Sequence, residues 1–158
     1  MNYPKDSNPE TWHRFFAVYA NNVAWTLAES TAGQFDPREL LDAAHASAWH
    51  WRHVGNELNR MRALKLLALA HARAGLGTTA LAYADEVRDY FLSRAETPDW
   101  EIAITHVIHA YSTLAAGARE KYASSYAEGA RACLAIVRSE DREVVERLLR
   151  HVPRPGDR

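Results

Sequence analysis

The sequence predicts an all-α protein made of antiparallel helical hairpins stacked in series, about seven helices in all. Three observations carry that expectation. Ala-Gly pairs recur at Ala32-Gly33, Ala74-Gly75 and Ala116-Gly117, each 42 residues from the next. Between them, apolar residues repeat at spacings of three and four, the period of a helix with one buried face. The prolines (Pro4, Pro9, Pro37, Pro98, Pro153 and Pro155) all fall outside those periodic segments. A fixed period of this size in a helical pattern is the signature of stacked hairpins.

Each element has its own signals. The first helix, 9–32, opens at Asn8-Pro9-Glu10, where a first-turn proline loses no hydrogen bond. Its apolar stripe of Trp12, Phe16, Tyr19, Val23 and Leu27 reads as a core face. The second, 36–54, has Asp36 as N-cap, Pro37 behind it and Glu39 at the capping-box position, and Gly55 closes it. The third, 57–74, carries Leu64, Leu67 and His71 with Ala68 beside them, and Asn56 or Asn59 caps its start. The fourth, 78–94, buries Leu81, Ala84, Val87 and Phe91. The fifth, 98–116, opens at Thr97-Pro98-Asp99-Trp100, and the sixth runs over 119–137. Gly33, Gly75 and Gly117 stand where a helix-terminating glycine stands. Short glycine turns make antiparallel pairs, giving hairpins 9–54, 57–94 and 98–137. The charged helix 140–151, with Val144 over Leu148 and Val145 over Leu149, reads as a C-terminal cap. One helical-repeat domain then spans 1–152, with 153–158 a flexible tail.

Composition narrows the function. The formal net charge of −1 provides no field for nucleic acid or an anionic membrane. Cys133 is the only cysteine, which excludes an intrachain disulfide and a multi-cysteine zinc site and fits a reducing compartment. The opening residues MNYPKDSNPE contain no apolar leader. The longest apolar stretch, 63–76, is broken by Lys65, His71 and Arg73 and is too short to span a bilayer. A cytoplasmic protein is expected.

The densest chemistry is Trp49-His50-Trp51-Arg52-His53, followed by Asn56, Asn59, Arg60 and Arg62. Indoles beside arginine dominate recognition hot spots. The expected binding surface therefore runs from Trp51 and His53 through Asn59 and Arg62 to Trp100, with Lys65 as a further cation. The plainer alternative puts one tryptophan in the core and leaves the asparagines as caps. Asp42-x-x-His45, His50-x-x-His53 and His106-x-x-His109 each place two ligating side chains on one helix face. No Glu-x-x-His accompanies them, so neither a metal nor another cofactor is expected. His106 and His109 read as hydrogen-bonding partners inside the stack. No Gly-x-Ser-x-Gly elbow or phosphate loop occurs, and no catalytic residue is assigned. The arginines Arg142, Arg147, Arg150, Arg154 and Arg158 are offset by Glu140, Asp141, Glu143 and Glu146, as on a solvated face.

The stretch Leu67-Ala68-x-x-His71-x-x-x-Gly75-x-x-x-x-Ala80-Leu81-x-x-Ala84-x-x-Val87 resembles a tetratricopeptide repeat. The family's small residue of the first helix falls on Ala68, its glycine turn on Gly75 and the small residue of its second helix on Ala80. The period of 42 exceeds the family's 34 and makes each hairpin about two turns longer. Through His50-Trp51, Gly55, Asn59, Arg62 and Asp99-Trp100, the segment 51–116 is also similar to uncharacterised bacterial proteins with tetratricopeptide-like helices. The resemblance implies a short right-handed solenoid whose first, third and fifth helices line a concave side, and a protein or peptide as partner. Of the positions that would clamp a peptide carboxylate in such a family (Val23, Leu27, Lys65, Leu69, Val107 and Tyr111), only Lys65 has a suitable side chain. The competing reading is a small-ligand or metal-dependent enzyme with a pocket lined by His45, His71 and His106. A third is self-association, because open ends of a stack favour a homodimer.

Overall fold

Asn8 and Asp36 act as the sequence anticipates. Each side chain accepts a hydrogen bond from the backbone N–H two residues on, Glu10 and Arg38 respectively, and each is followed by a first-turn proline. The computed structural model describes residues 5, 8–31 and 33–156, so Ala32, Pro4 and Arg158 lie outside the described residues. Its helices are α1 (Pro9–Glu29), α2 (Pro37–Val54), α3 (Glu57–Arg73), α4 (Gly77–Leu92), α5 (Asp99–Ala115), α6 (Arg119–Ala135) and α7 (Ser139–Leu149), and no strand occurs among the described residues.

Asn56 and Asn59 form a reciprocal capping box at the start of α3, each side chain accepting from the other's backbone N–H. The start of α5 has no such cap, and Thr97 bonds elsewhere. Its hydroxyl turns back to the Phe91 carbonyl, and Pro98 stands at the N-cap without a side-chain bond.

The 42-residue period is a repeat of hydrogen bonds. After α3, Gly75 N–H donates to Ala72 and Leu76 N–H to His71. After α5, Gly117 N–H donates to Leu114 and Ala118 N–H to Thr113. Both glycines take positive φ, 77° and 72°, with nothing within 4 Å of where a Cβ would sit. Gly75→Ala and Gly117→Ala therefore strain the backbone without a clash, each costing about 1 kcal/mol. The double variant is expected to show the sum in a urea titration, the sites being independent.

Consecutive helices pack in series, and each odd-numbered helix also packs on the next: α1 on α3, α3 on α5, α5 on α7. The result is a helical solenoid of three hairpins closed by α7. Its core is rich in alanine. Ala17, Ala20, Ala24 and Ala28 are the buried residues of α1, Ala80 and Ala84 lie buried in α4, and Leu66, Leu69, Val107 and Ile108 fill the centre. Small side chains let helix axes approach closely. Ser47 completes the α1–α2 contact by donating its hydroxyl to the Ala17 carbonyl.

The stripe of α1 corrects the sequence expectation. Phe16 and Tyr19 are 40 % and 45 % exposed, and the alanines on the adjoining sector are what the other helices cover. Spacing finds a stripe. Trp12, Val23 and Leu27 are half-buried, with Leu27 packed on the core, and only Phe16 and Tyr19 of the stripe stand open. No helix among the described residues is long and apolar enough to cross a membrane.

Candidate binding groove

Lys65 of α3 and Glu101 of α5 are buried charges, and the structure joins them. Lys65 Nζ donates to Glu101 Oε1 at 2.7 Å. Arg62, one turn earlier on α3, forks onto the same carboxylate, Nε to Oε1 at 3.0 Å and Nη2 to Oε2 at 2.6 Å. Lys65 is 3 % and Glu101 1 % exposed, whereas Arg62 keeps a partly exposed side chain and an uncommitted Nη1. Aromatic faces complete the cation site. The Lys65 ammonium lies 4.0 Å from the Phe91 ring centroid, and the Arg62 guanidinium 5.5 Å from that of Trp100.

Burial pushes the Lys65 ammonium down to about 8, against the pull of Glu101. Burial is also the largest influence on Glu101 and raises it. The hydrogen bond from Arg62 and the charge and hydrogen bond of Lys65 outweigh it, so the carboxyl stays below its ordinary value. Two cations on one carboxylate leave a local excess of positive charge.

This triad lies in a groove of about 350 Å³ lined from all four odd-numbered helices: Asn21, Trp25 and Glu29 of α1, Arg62 and Lys65 of α3, Trp100, Glu101 and Ile104 of α5, and Val144 of α7. Of the six residues that the sequence assigns to a binding surface, Arg62, Lys65 and Trp100 meet here. The other three lie elsewhere. Asn59 is spent on the cap of α3. Trp51 is half-buried against Gly55, where a Cβ would come within 2.6 Å of the Trp51 carbonyl oxygen. His53 is exposed and stacks on His13 with ring centroids 4.5 Å apart.

Trp25 and Glu101 escaped the sequence reading. The signal for Glu101 was present, since after Asp99 at the helix start it is the only acid of the otherwise apolar α5. Nothing local marked Trp25, because the aromatic stripe beside it drew the eye to another sector of α1.

The three histidines expected to line an enzyme pocket do not converge. His45 and His71 meet edge to face at 5.2 Å, and Tyr83 joins His71. His106 is held instead beside Glu128 on α6 at 3.3 Å. Among the described residues, no group of three or more His, Cys, Asp and Glu side chains is placed to hold a metal ion. His109 joins three helices. Its Nε2–H donates to Asp85 Oδ1 of α4 at 2.9 Å, and its Nδ1 accepts from the Ser125 hydroxyl of α6 at 2.8 Å. The order serine–histidine–aspartate suggests a hydrolytic triad. The exposure argues against one: Ser125 is 3 % exposed and the Asp85 side chain 52 %, so the water-facing end is the acid and the would-be nucleophile is sealed.

Comparison with family models, with curated proteins and with solved structures gives no match. The groove is therefore interpreted from its own geometry.

Proposed function

We propose that the protein is a binding module whose groove takes a peptide segment of a protein partner, a segment that pairs an acidic side chain with an apolar one. One observation carries this reading: the positively biased Arg62–Lys65–Glu101 triad floors a groove whose walls are Trp25, Trp100, Ile104 and Val144, and the groove's other acid, Glu29, is paired with Arg147 at 3.9 Å. A carboxylate would dock on the free Nη1 of Arg62, and the neighbouring apolar side chain would lie on the indoles. Arginine and tryptophan already held in place lose little freedom on binding, which favours affinity. The resemblance of 67–87 to a tetratricopeptide repeat supports the same assignment, because it puts the odd-numbered helices on a concave side.

A random peptide display library panned against the full chain tests the proposal. Enrichment of acidic–apolar sequences is expected, with affinity about tenfold weaker in Arg62→Ala and Trp100→Ala and unchanged in Trp51→Ala. Enrichment without acidic residues, or full affinity in Arg62→Ala, overturns it.

A further inference from the structure

We infer that the outer face of the α1–α2 hairpin is a self-association surface that seats a second copy of this chain across a two-fold axis. The face is an apolar groove of about 320 Å³ formed by Phe16, Tyr19, Ala20 and Val23 of α1 with Ala43 and Ala46 of α2. It lies on the sector of α1 opposite the binding groove, so it is independent of the peptide reading. Alongside it, Phe16 packs on Trp12 at 5.6 Å and on His50 at 5.4 Å, which fixes the aromatic rings in place before any partner arrives.

The later repeats bury the positions equivalent to two of these residues. One and two periods beyond Val23 stand Lys65 and Val107, and both are buried, at 3 % and 0 % exposure. Two periods beyond Tyr19 stands Ala103, also fully buried. What α3 and α5 bury at these positions, α1 leaves half-buried at Val23 and exposed at Tyr19.

Two observations select a second copy in face-to-face arrangement. Within the chain, each hairpin receives the next odd-numbered helix, and α7 already fills that place on α5 and α6. Head-to-tail stacking, which would give an open filament, is thereby blocked, and the isologous arrangement remains. The charge pattern is also self-complementary. Asp42 and His50 line the groove at its two ends, with Ala43 and Ala46 between them. Eight helical residues span about 12 Å. A two-fold axis beside Ala46 crosses two α2 helices in opposite directions and sets Asp42 of each copy against His50 of the other. His13 Nδ1 engages His50 Nδ1 at 2.8 Å, which leaves His50 Nε2 as the ring nitrogen available to the partner's carboxylate.

Sedimentation of the full chain with three single variants tests the inference. The wild type is expected to be a dimer, and Phe16→Asp to dissociate at least about tenfold more readily with unchanged helical circular dichroism. Ala46→Cys should form an intermolecular disulfide on mild oxidation, because the axis brings the two residues within bridging distance. Ala123→Cys, exposed on α6, should not. A monomeric wild type overturns the inference, and so does a monomer that binds a foreign amphipathic helix at Phe16. A dimer indifferent to Phe16→Asp and not cross-linked through Ala46→Cys also overturns it.

Discussion

Glu101→Gln is expected to lower the folding free energy by roughly 3–5 kcal/mol, the usual cost of leaving one partner of a buried ion pair uncompensated. For a chain of this length that is a fall in Tm of about 10 °C. The glutamine keeps the shape and removes the charge. Lys65, 3 % exposed and resting on Phe91, then has no anion. Arg62→Met should cost much less, since its side chain is partly exposed and Lys65 still satisfies Glu101. Replacing both buried partners, Lys65→Met with Glu101→Leu, should return most of the lost stability, because two desolvated charges are exchanged for apolar packing. Urea titrations of the four proteins form the check. A Glu101→Gln effect under about 1 kcal/mol would show a solvated, surface-like pair.

The same residues serve the fold and the proposed function. A triad with two cations on one anion is costly as a stabilising device, since the third charge adds repulsion and desolvation. Arg62 and Lys65 lie within one turn of α3 and share Glu101. If stability alone mattered, Lys65 with Glu101 would suffice. On the proposed reading, the second cation leaves the groove a donor, Arg62 Nη1, for an incoming acid.

The helix ends were legible in the sequence because each is written in a few adjacent residues. Asn8-Pro9, Asp36-Pro37, the Asn56–Asn59 box and the glycines at 75 and 117 all do what their local chemistry dictates. The faces were less legible. In α1 the larger side chains Phe16 and Tyr19 stand on the solvent side and the alanines inside, so hydrophobic size misdirected the assignment while the period remained correct. Site residues were hardest. Trp51, Asn59 and Arg62 are close in sequence, yet the cap at Asn59, the packing of Trp51 on Gly55 and the ion pair of Arg62 send them to three places. The partner that gives Arg62 and Lys65 their meaning lies 39 and 36 residues away, on another hairpin.

Acid should destabilise the fold well before any carboxylate is protonated. Burial, the largest cause in every case, holds the folded proton affinities of His45, His50, His106, His109 and His151 below the ordinary 6.5. A histidine that is neutral when folded takes up its proton in the unfolded chain as pH falls through 6.5, and this favours unfolding. Its contribution is complete above about pH 6.5 and is lost as pH falls through the folded value, with a slope of at most about 1.4 kcal/mol per pH unit for each group. His45, His50 and His151 are open to solvent and contribute only a part of that. His106 and His109 dominate. Around them stand Glu128 and Asp85, which favour the charged ring, and Arg88 and Arg131, which oppose it. Urea midpoints measured from about pH 7.5 to about pH 5 should fall steadily. The paired replacement His106→Gln with His109→Gln should flatten that dependence at the cost of some stability at neutral pH, because the link from Asp85 through His109 to Ser125 is weakened. A flat profile in the unaltered protein would mean that Glu128 and Asp85 just offset burial, and midpoints that rise toward acid would mean that they outweigh it and that the contacts among α4, α5 and α6 are ionic.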